Sequence, residues 1–392
     1  MFALRALVIM LAGLGSLPAC SGDTGFSAYE GDAYPNRRPR LEAAGHTLAY
    51  VANRLSDSVS VVDVDTQKLL GNAPVGRDPV DTDGPRHLVL DPALGLAYVI
   101  YSYPEVIVSP HASSLGSNGR LGYVAALELS DLRPLGELRL DVSPAELALT
   151  SDGRSLAVAH YDTAKALDMS SIEARRANVA FVDEARGLTD STAKAARVSV
   201  CSAPAAIAFA KNDTRLFVAC SGEDSLVVLD AVEHVVLSRV STGDGGMNEP
   251  YALVRDSEGE RLLVSNQGAR TVVMFSADDA PEALSTATLP GVPWFAEFSE
   301  DRSSFVVALQ NPDGSARVEA ESGTVLASKS YAEEECLRPS QPKRLRDGRW
   351  VLICQGDGHG PGALVQLDPE TLDVSQPVTL GVLPERVELL EP

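Results

Sequence analysis

Four of the five cysteines form two pairs of nearly equal spacing, Cys201 with Cys220 and Cys336 with Cys354, separated by 19 and 18 residues. Two chemistries suit such a set. Each pair can close a disulfide, which contributes about 3 kcal/mol by restricting the unfolded chain. Alternatively, four thiolates can surround one metal ion, which requires two pairs far apart in the sequence to meet. Cys220 and Cys354 end equivalent apolar runs, and Cys201 and Cys336 each shortly precede a proline. That equivalence favours two disulfides, provided the chain is exported.

A second set offers oxygen and nitrogen donors. Asn53, Glu146, His160 and Asn266, with Glu385, come from different parts of the chain and suit a divalent-metal shell if they converge. Asn at a turn more often caps backbone groups. The run Asp78, Asp81, Asp83, Gly84 has the carboxylate density for Ca²⁺ but lacks the alternation and distal Glu of an EF-hand loop. It reads as a solvated acidic turn. No C-x-x-C-H, G-x-S-x-G or phosphate-binding loop occurs. The expectation is no cofactor, with Ca²⁺ or another divalent metal as the exception.

These residues must be positioned by a repeat. Leu216 to Asp230, LFVACSGEDSLVVLD, is two short apolar runs around a polar turn; PAAIAF from Pro204 precedes it and HVVLSRVSTG follows. Four strands of about 5–6 residues make one unit. An opening proline recurs at Pro85, Pro144, Pro204, Pro250, Pro293, Pro342 and Pro384. Second strands read LAYVAN from Leu48, LAYVIY from Leu96, LAVAH from Leu156, LFVAC from Leu216, LLVSN from Leu262, FVVAL from Phe305 and WVLIC from Trp350. Third strands end in an acid at Asp63, Glu128, Asp183, Asp230 and Asp368, with Ser276 in the fifth unit and a degenerate match near Glu321. Such side chains bond backbone groups of the following turn. Seven starts predict an all-β, seven-bladed propeller with four-stranded blades over residues 46–392. The first unit begins with its second strand, so Glu385 to Leu390 is expected to supply its inner strand and close the ring; Pro39 to Ala44 is the alternative.

The pattern P-x-x-[LI], a turn, L-x-V-A-N, a polar turn, V-S-V-V-D and a closing Gly resembles YVTN-type β-propeller repeats of bacterial and archaeal envelope proteins, most closely at Tyr50 to Thr66. The resemblance implies a seven-bladed propeller and little about activity, because relatives of this fold include sugar lactonases, quinoprotein heavy chains and plain binding proteins. Residues 1–20 have the charged-then-apolar order of a secretory signal, and Leu17-Pro18-Ala19-Cys20 resembles a bacterial lipobox. That resemblance implies a lipidated Cys20, and Ser21 after it implies the outer membrane. Residues 21–45 read as a tether.

A net charge of −21 opposes nucleic-acid binding. Insertions at Pro104 to Gly122 and Asp162 to Ala177 lengthen two units on the face expected to carry the cysteines, together with His87, His111, His160 and His359. Loops added to one face suggest a binding surface, with Tyr101, Tyr103, His111, His160, Tyr161 and His359 as contacts. The favoured expectation is a non-enzymatic, monomeric, lipid-anchored module that docks an envelope protein or small ligand. The alternative is a metal-dependent lactonase-like or quinoprotein-like enzyme with its site at the channel mouth.

Overall fold

The computed structural model describes Pro39, Leu41 and residues 45–76, 82–102 and 121–392. The signal, Cys20, nearly all of the tether, Asp78, Asp81, Tyr103 and His111 lie outside them. Seven four-stranded antiparallel sheets follow one another around a ring. Each second strand is largely an apolar run buried between neighbouring blades, completely so in Leu48–Asn53, Leu96–Tyr101 and Leu156–His160. Outer strands face solvent on one side, and Val325–Ser330 alternates half-buried and exposed residues. Each core therefore forms between blades, as where Tyr98 and Ile100 of the second blade pack with Leu147 and Val158 of the third.

The first blade is completed by the last strand. Pro384–Leu390 pairs antiparallel with Leu48–Asn53, so the C-terminal closure holds and the Pro39 alternative does not. The acids that end third strands act as turn caps. Asp63 Oδ1 receives the N–H groups of Asp65 and Thr66 at 3.0 and 3.1 Å, and Asp230 and Asp368 do the same in their turns. In the sixth blade Glu319 sits opposite Ser304 as Asp230 sits opposite Arg215, so the equivalent acid is Glu319 and not Glu321.

Both expected disulfides are present, with Cα separations of 6.0 and 5.1 Å. Cys201 lies in the last strand of the third blade and Cys220 in the fourth blade, so this bond staples neighbouring blades. Cys336 and Cys354 staple the sixth-to-seventh connection in the same way. The four-thiolate metal centre is thereby corrected: these sulfurs are bonded in pairs. No helix among the described residues is long and apolar enough to cross a membrane.

Candidate functional site at the channel mouth

One backbone device repeats where inner strands begin. Pro85, Pro144, Pro204, Pro250, Pro339 and Pro384 each open a strand, and Pro293 is second in its own; in all seven the pairing register shifts within the next three residues. Such bulges free a residue from the ladder and re-aim its side chain. In six blades the residue before the proline has positive φ: Gly84, Ser143, Ala203, Glu249, Arg338 and Leu383. Five of these are not glycine, and each left-handed turn costs on the order of 1 kcal/mol. The seventh blade therefore opens at Pro339, not at the expected Pro342, which pairs with Leu352 inside the strand.

The residues that follow these prolines line a narrow cleft whose enclosed space is about 10 Å³, room for roughly one water molecule. Glu385 and Arg386 come from the first blade, Arg86 from the second, Ala145 and Glu146 from the third, and Ala205 from the fourth. Tyr251 comes from the fifth and Trp294 and Phe295 from the sixth, while Gln355 follows the second strand of the seventh. The lining is polarised. Charge comes from blades one to three, and an aromatic wall from blades five and six. Tyr251 meets Trp294 edge-on at 5.1 Å and lies 6.1 Å from Phe295, and Tyr161 packs edge-on against Tyr251 at 6.1 Å.

The charged half is a set of pairs. Arg86 Nε lies 3.4 Å from Glu385 Oε2 and its terminal nitrogen donates to the Tyr251 hydroxyl at 3.2 Å. Burial would lower the Arg86 pKa, but Tyr251 and Glu385 beside it outweigh that and keep it charged. Arg54 donates to Glu385 Oε1 at 3.1 Å. Burial would raise Glu385; Arg54 and Arg86 more than offset it, so the carboxyl is held below its ordinary range. Arg386 bonds Glu146 Oε2 and lays its guanidinium over the Phe295 ring, 3.5 Å from its centre. Glu146 Oε1 has no donor among the described residues. Its neighbour at 3.7 Å is His87 Nδ1, which already accepts the Leu147 N–H at 3.0 Å, and this assigns the proton to Nε2.

Two residues further along the inner strands lie Lys343, Glu388 and Glu297. Lys343 sits 3.4 Å from Glu388. Burial would raise Glu388, but Lys343 and His87 outweigh it and bring it down to about 2. Glu297 is half-buried, and burial pushes it up to about 7, only partly relieved by Lys343 and Arg344. The consequence has a definite sign. The folded state binds this proton more tightly than the unfolded chain, so the contribution is full below about 4.5 and is lost as pH rises through 7. Urea unfolding at pH 4.5 and 7.5 should show Glu297→Gln gaining about 2 kcal/mol relative to the parent at the higher pH. An equal difference at both pH values would show that Glu297 carries no such shift.

Several residues singled out from sequence lie elsewhere. Asn53 is buried, donating to Ser58 and Ser60 and accepting from Gly381 N–H. Asn266 donates to the Thr242 carbonyl at 2.7 Å. His160 is 1% exposed, its Nδ1 bonds the Asn178 carbonyl, and burial lowers its pKa. Of the expected metal quartet Asn53, Glu146, His160 and Asn266, Glu146 lines the cleft and the others face neighbouring strands, so they do not form one shell. The grouping of His, Asp or Glu found among the described residues is His46, Asp63 and Asp65, with Asp63 ending a third strand and His46 bonded to it at 2.8 Å. Asp83 is buried.

The expected contact face is also altered. Tyr101 is 1% exposed and stacks on Tyr123 at 4.3 Å, so neither it nor His160 presents a surface. Tyr161 is half-buried and His359 is exposed. Sequence reasoning missed Arg86, Tyr251, Trp294, Phe295 and Arg386. Their signal was the pair of positions after each opening proline: RH, AE, AA, YA, WF, SQ and ER.

Comparison with known proteins agrees with the architecture. A family described as "Lactonase, 7-bladed beta-propeller" matches residues 177–289. Periplasmic gluconolactonase PpgL of Pseudomonas aeruginosa is similar in structure, with a TM-score of 0.66 and 17% identity over 88% of this chain and 99% of that one. A protein from Bacteroides fragilis, provisionally described as a 6-phosphogluconolactonase, gives 0.65 and 12% over 89% and 99%. Hydrazine synthase of Kuenenia stuttgartiensis gives 0.59 and 15% over 81% and 99%. The likeness is one of fold. No curated protein matches the sequence. The matched segment contains Ala205 and Tyr251 but none of the charged cleft residues, so the chemistry has to be argued from the cleft.

Proposed function

We propose that the channel mouth hydrolyses a small ring ester, a lactone, and that the enzymatic alternative replaces the docking role first expected. The observation that carries this reading is Glu146 Oε1, a cleft carboxylate oxygen without a donor among the described residues, set among two guanidiniums and an aromatic wall. Both oxygens of Glu385 already face Arg54 and Arg86, which suits it to holding those cations rather than taking a proton.

In this scheme Glu146 takes a proton from a water molecule as the water oxygen attacks the ester carbon. Arg86 and the Tyr251 hydroxyl face the developing oxyanion; that hydroxyl accepts from Arg86, which leaves its own hydrogen free to donate. The ring C–O bond then breaks, the proton held by Glu146 passes to the leaving oxygen, and the product is an open-chain hydroxy acid. Trp294 and Tyr251 supply apolar surface for the ring. The lactonase-family match and the gluconolactonase among the structural neighbours support the reaction class. A lipid anchor at Cys20 and an outer-membrane location remain part of the proposal.

The test is acid release from a panel of five- and six-membered lactones in weak buffer. Purified protein should hydrolyse at least one of them at about 1 s⁻¹ or faster. Rates equal to spontaneous hydrolysis across the panel would end the hydrolytic reading.

A further inference from the structure

We infer that the lactone accepted here is uncharged, a neutral polyhydroxy ring rather than a phosphorylated one, an inference that rests on the hydrolytic reading above. Both kinds of name occur among the structural neighbours, so fold alone does not choose. The cleft does.

Every cation at the site already has an anion. Arg86 and Arg54 share Glu385 at 3.4 and 3.1 Å, and Arg386 is bonded to Glu146. One layer deeper, Lys343 is held by Glu388 at 3.4 Å. Along the cleft lining Arg86 and Arg386 are matched by Glu385 and Glu146, so no lining cation is left over for a phosphate, and Arg54 behind them shares Glu385. A phosphate monoester brings nearly two negative charges at neutral pH and needs N–H donors that are not engaged. Admitting one would draw Arg86 away from Glu385, leaving that half-buried carboxylate with Arg54 alone, and would break the Arg86 bond to the Tyr251 hydroxyl. Discrimination would come from that mismatch as well as from the fit of the neutral ring.

The rest of the lining agrees. Trp294 and Tyr251, both half-buried in the lining, offer apolar surface to the C–H side of a neutral ring, Phe295 is covered by Arg386, and Ala145 and Ala205 add no charge. At longer range, a net charge of −21 disfavours the approach of an anionic substrate.

The experiment compares kcat/KM of the purified protein for glucono-δ-lactone and for its 6-phosphate ester, at low and high salt. The neutral lactone should be preferred by about 100-fold or more, because the phosphate ester must bury unmatched charge. Its kcat/KM should change by less than about twofold with salt, since no long-range attraction assists its capture. Equal or greater turnover of the phosphate ester would overturn the inference and leave lactone hydrolysis standing. Turnover of neither would remove both. A second measurement uses Glu385→Gln, which relieves Arg86 and Arg54 of their shared carboxylate. Whatever its absolute rates, the ratio of the two substrates should move about tenfold towards the phosphate ester. A ratio identical to the parent's would also overturn the inference.

Discussion

Removal of residues 382–392 should abolish cooperative unfolding and the near-ultraviolet circular dichroism of the packed aromatic core. The deleted segment is the inner strand of the first blade, and its loss exposes the paired edge of Leu48–Asn53. Val387 is fully buried, and its N–H donates to Gln341 of the seventh blade at 2.8 Å. Apolar burial of Val387, Leu389 and Leu390 contributes roughly 1.5–3 kcal/mol for each side chain if complete. Loss of Arg386 leaves Glu146, 7% exposed, without its partner, at a cost of about 3–5 kcal/mol. The total is comparable with the whole stability of an ordinary domain, about 5–15 kcal/mol. Calorimetry of the truncated chain settles the matter; an unchanged melting temperature would show that closure rests on something else.

Glu146→Gln should lower kcat for lactone hydrolysis by about 10²–10⁴-fold, the usual contribution of a positioned general base. The substitution keeps shape and leaves an amide oxygen for Arg386, so the fold is retained. Its effect should fall on kcat more than on KM, because the ring still meets Trp294 and Tyr251. If the variant keeps its rate, Glu146 is not the base; if it melts early, the comparison moves to Tyr251→Phe, which removes the oxyanion donor while preserving the aromatic wall.

The ring was legible because burial on both faces forces the second strands to be continuous apolar runs, and those runs recur in register. Blade starts were less so. The seventh unit has two prolines three residues apart, and what distinguishes Pro339 is the positive φ of Arg338 and the bulge after it, neither of which appears in an apolar pattern. The same blind spot concealed the cleft. Asn53, His160 and Asn266 end second strands and were placed near the channel by position along the strand, whereas their side chains bond groups on neighbouring strands and loops. Tyr101 was read as a contact surface for the same reason and is packed on Tyr123. Glu146 and Glu385 were named as carboxylates that could converge as metal ligands, a criterion that passes over the arginines beside them. Arg386 and its pairing across the ring depend on a contact spanning 240 positions, which no local pattern carries.

The closing strand has a consequence in the order of synthesis. Pro384–Leu390 follows every other strand in the chain, so it is the last of them to leave the ribosome, and it brings Glu385 and Arg386 with it. Until it emerges, the first blade lacks its inner strand, Glu146 lacks its guanidinium, and the cleft lacks one of its charged walls. A partly made chain can assemble middle blades as neighbours appear, yet it holds neither a closed ring nor a complete site. The closed ring and the complete cleft therefore arise together, once this strand has emerged and not before.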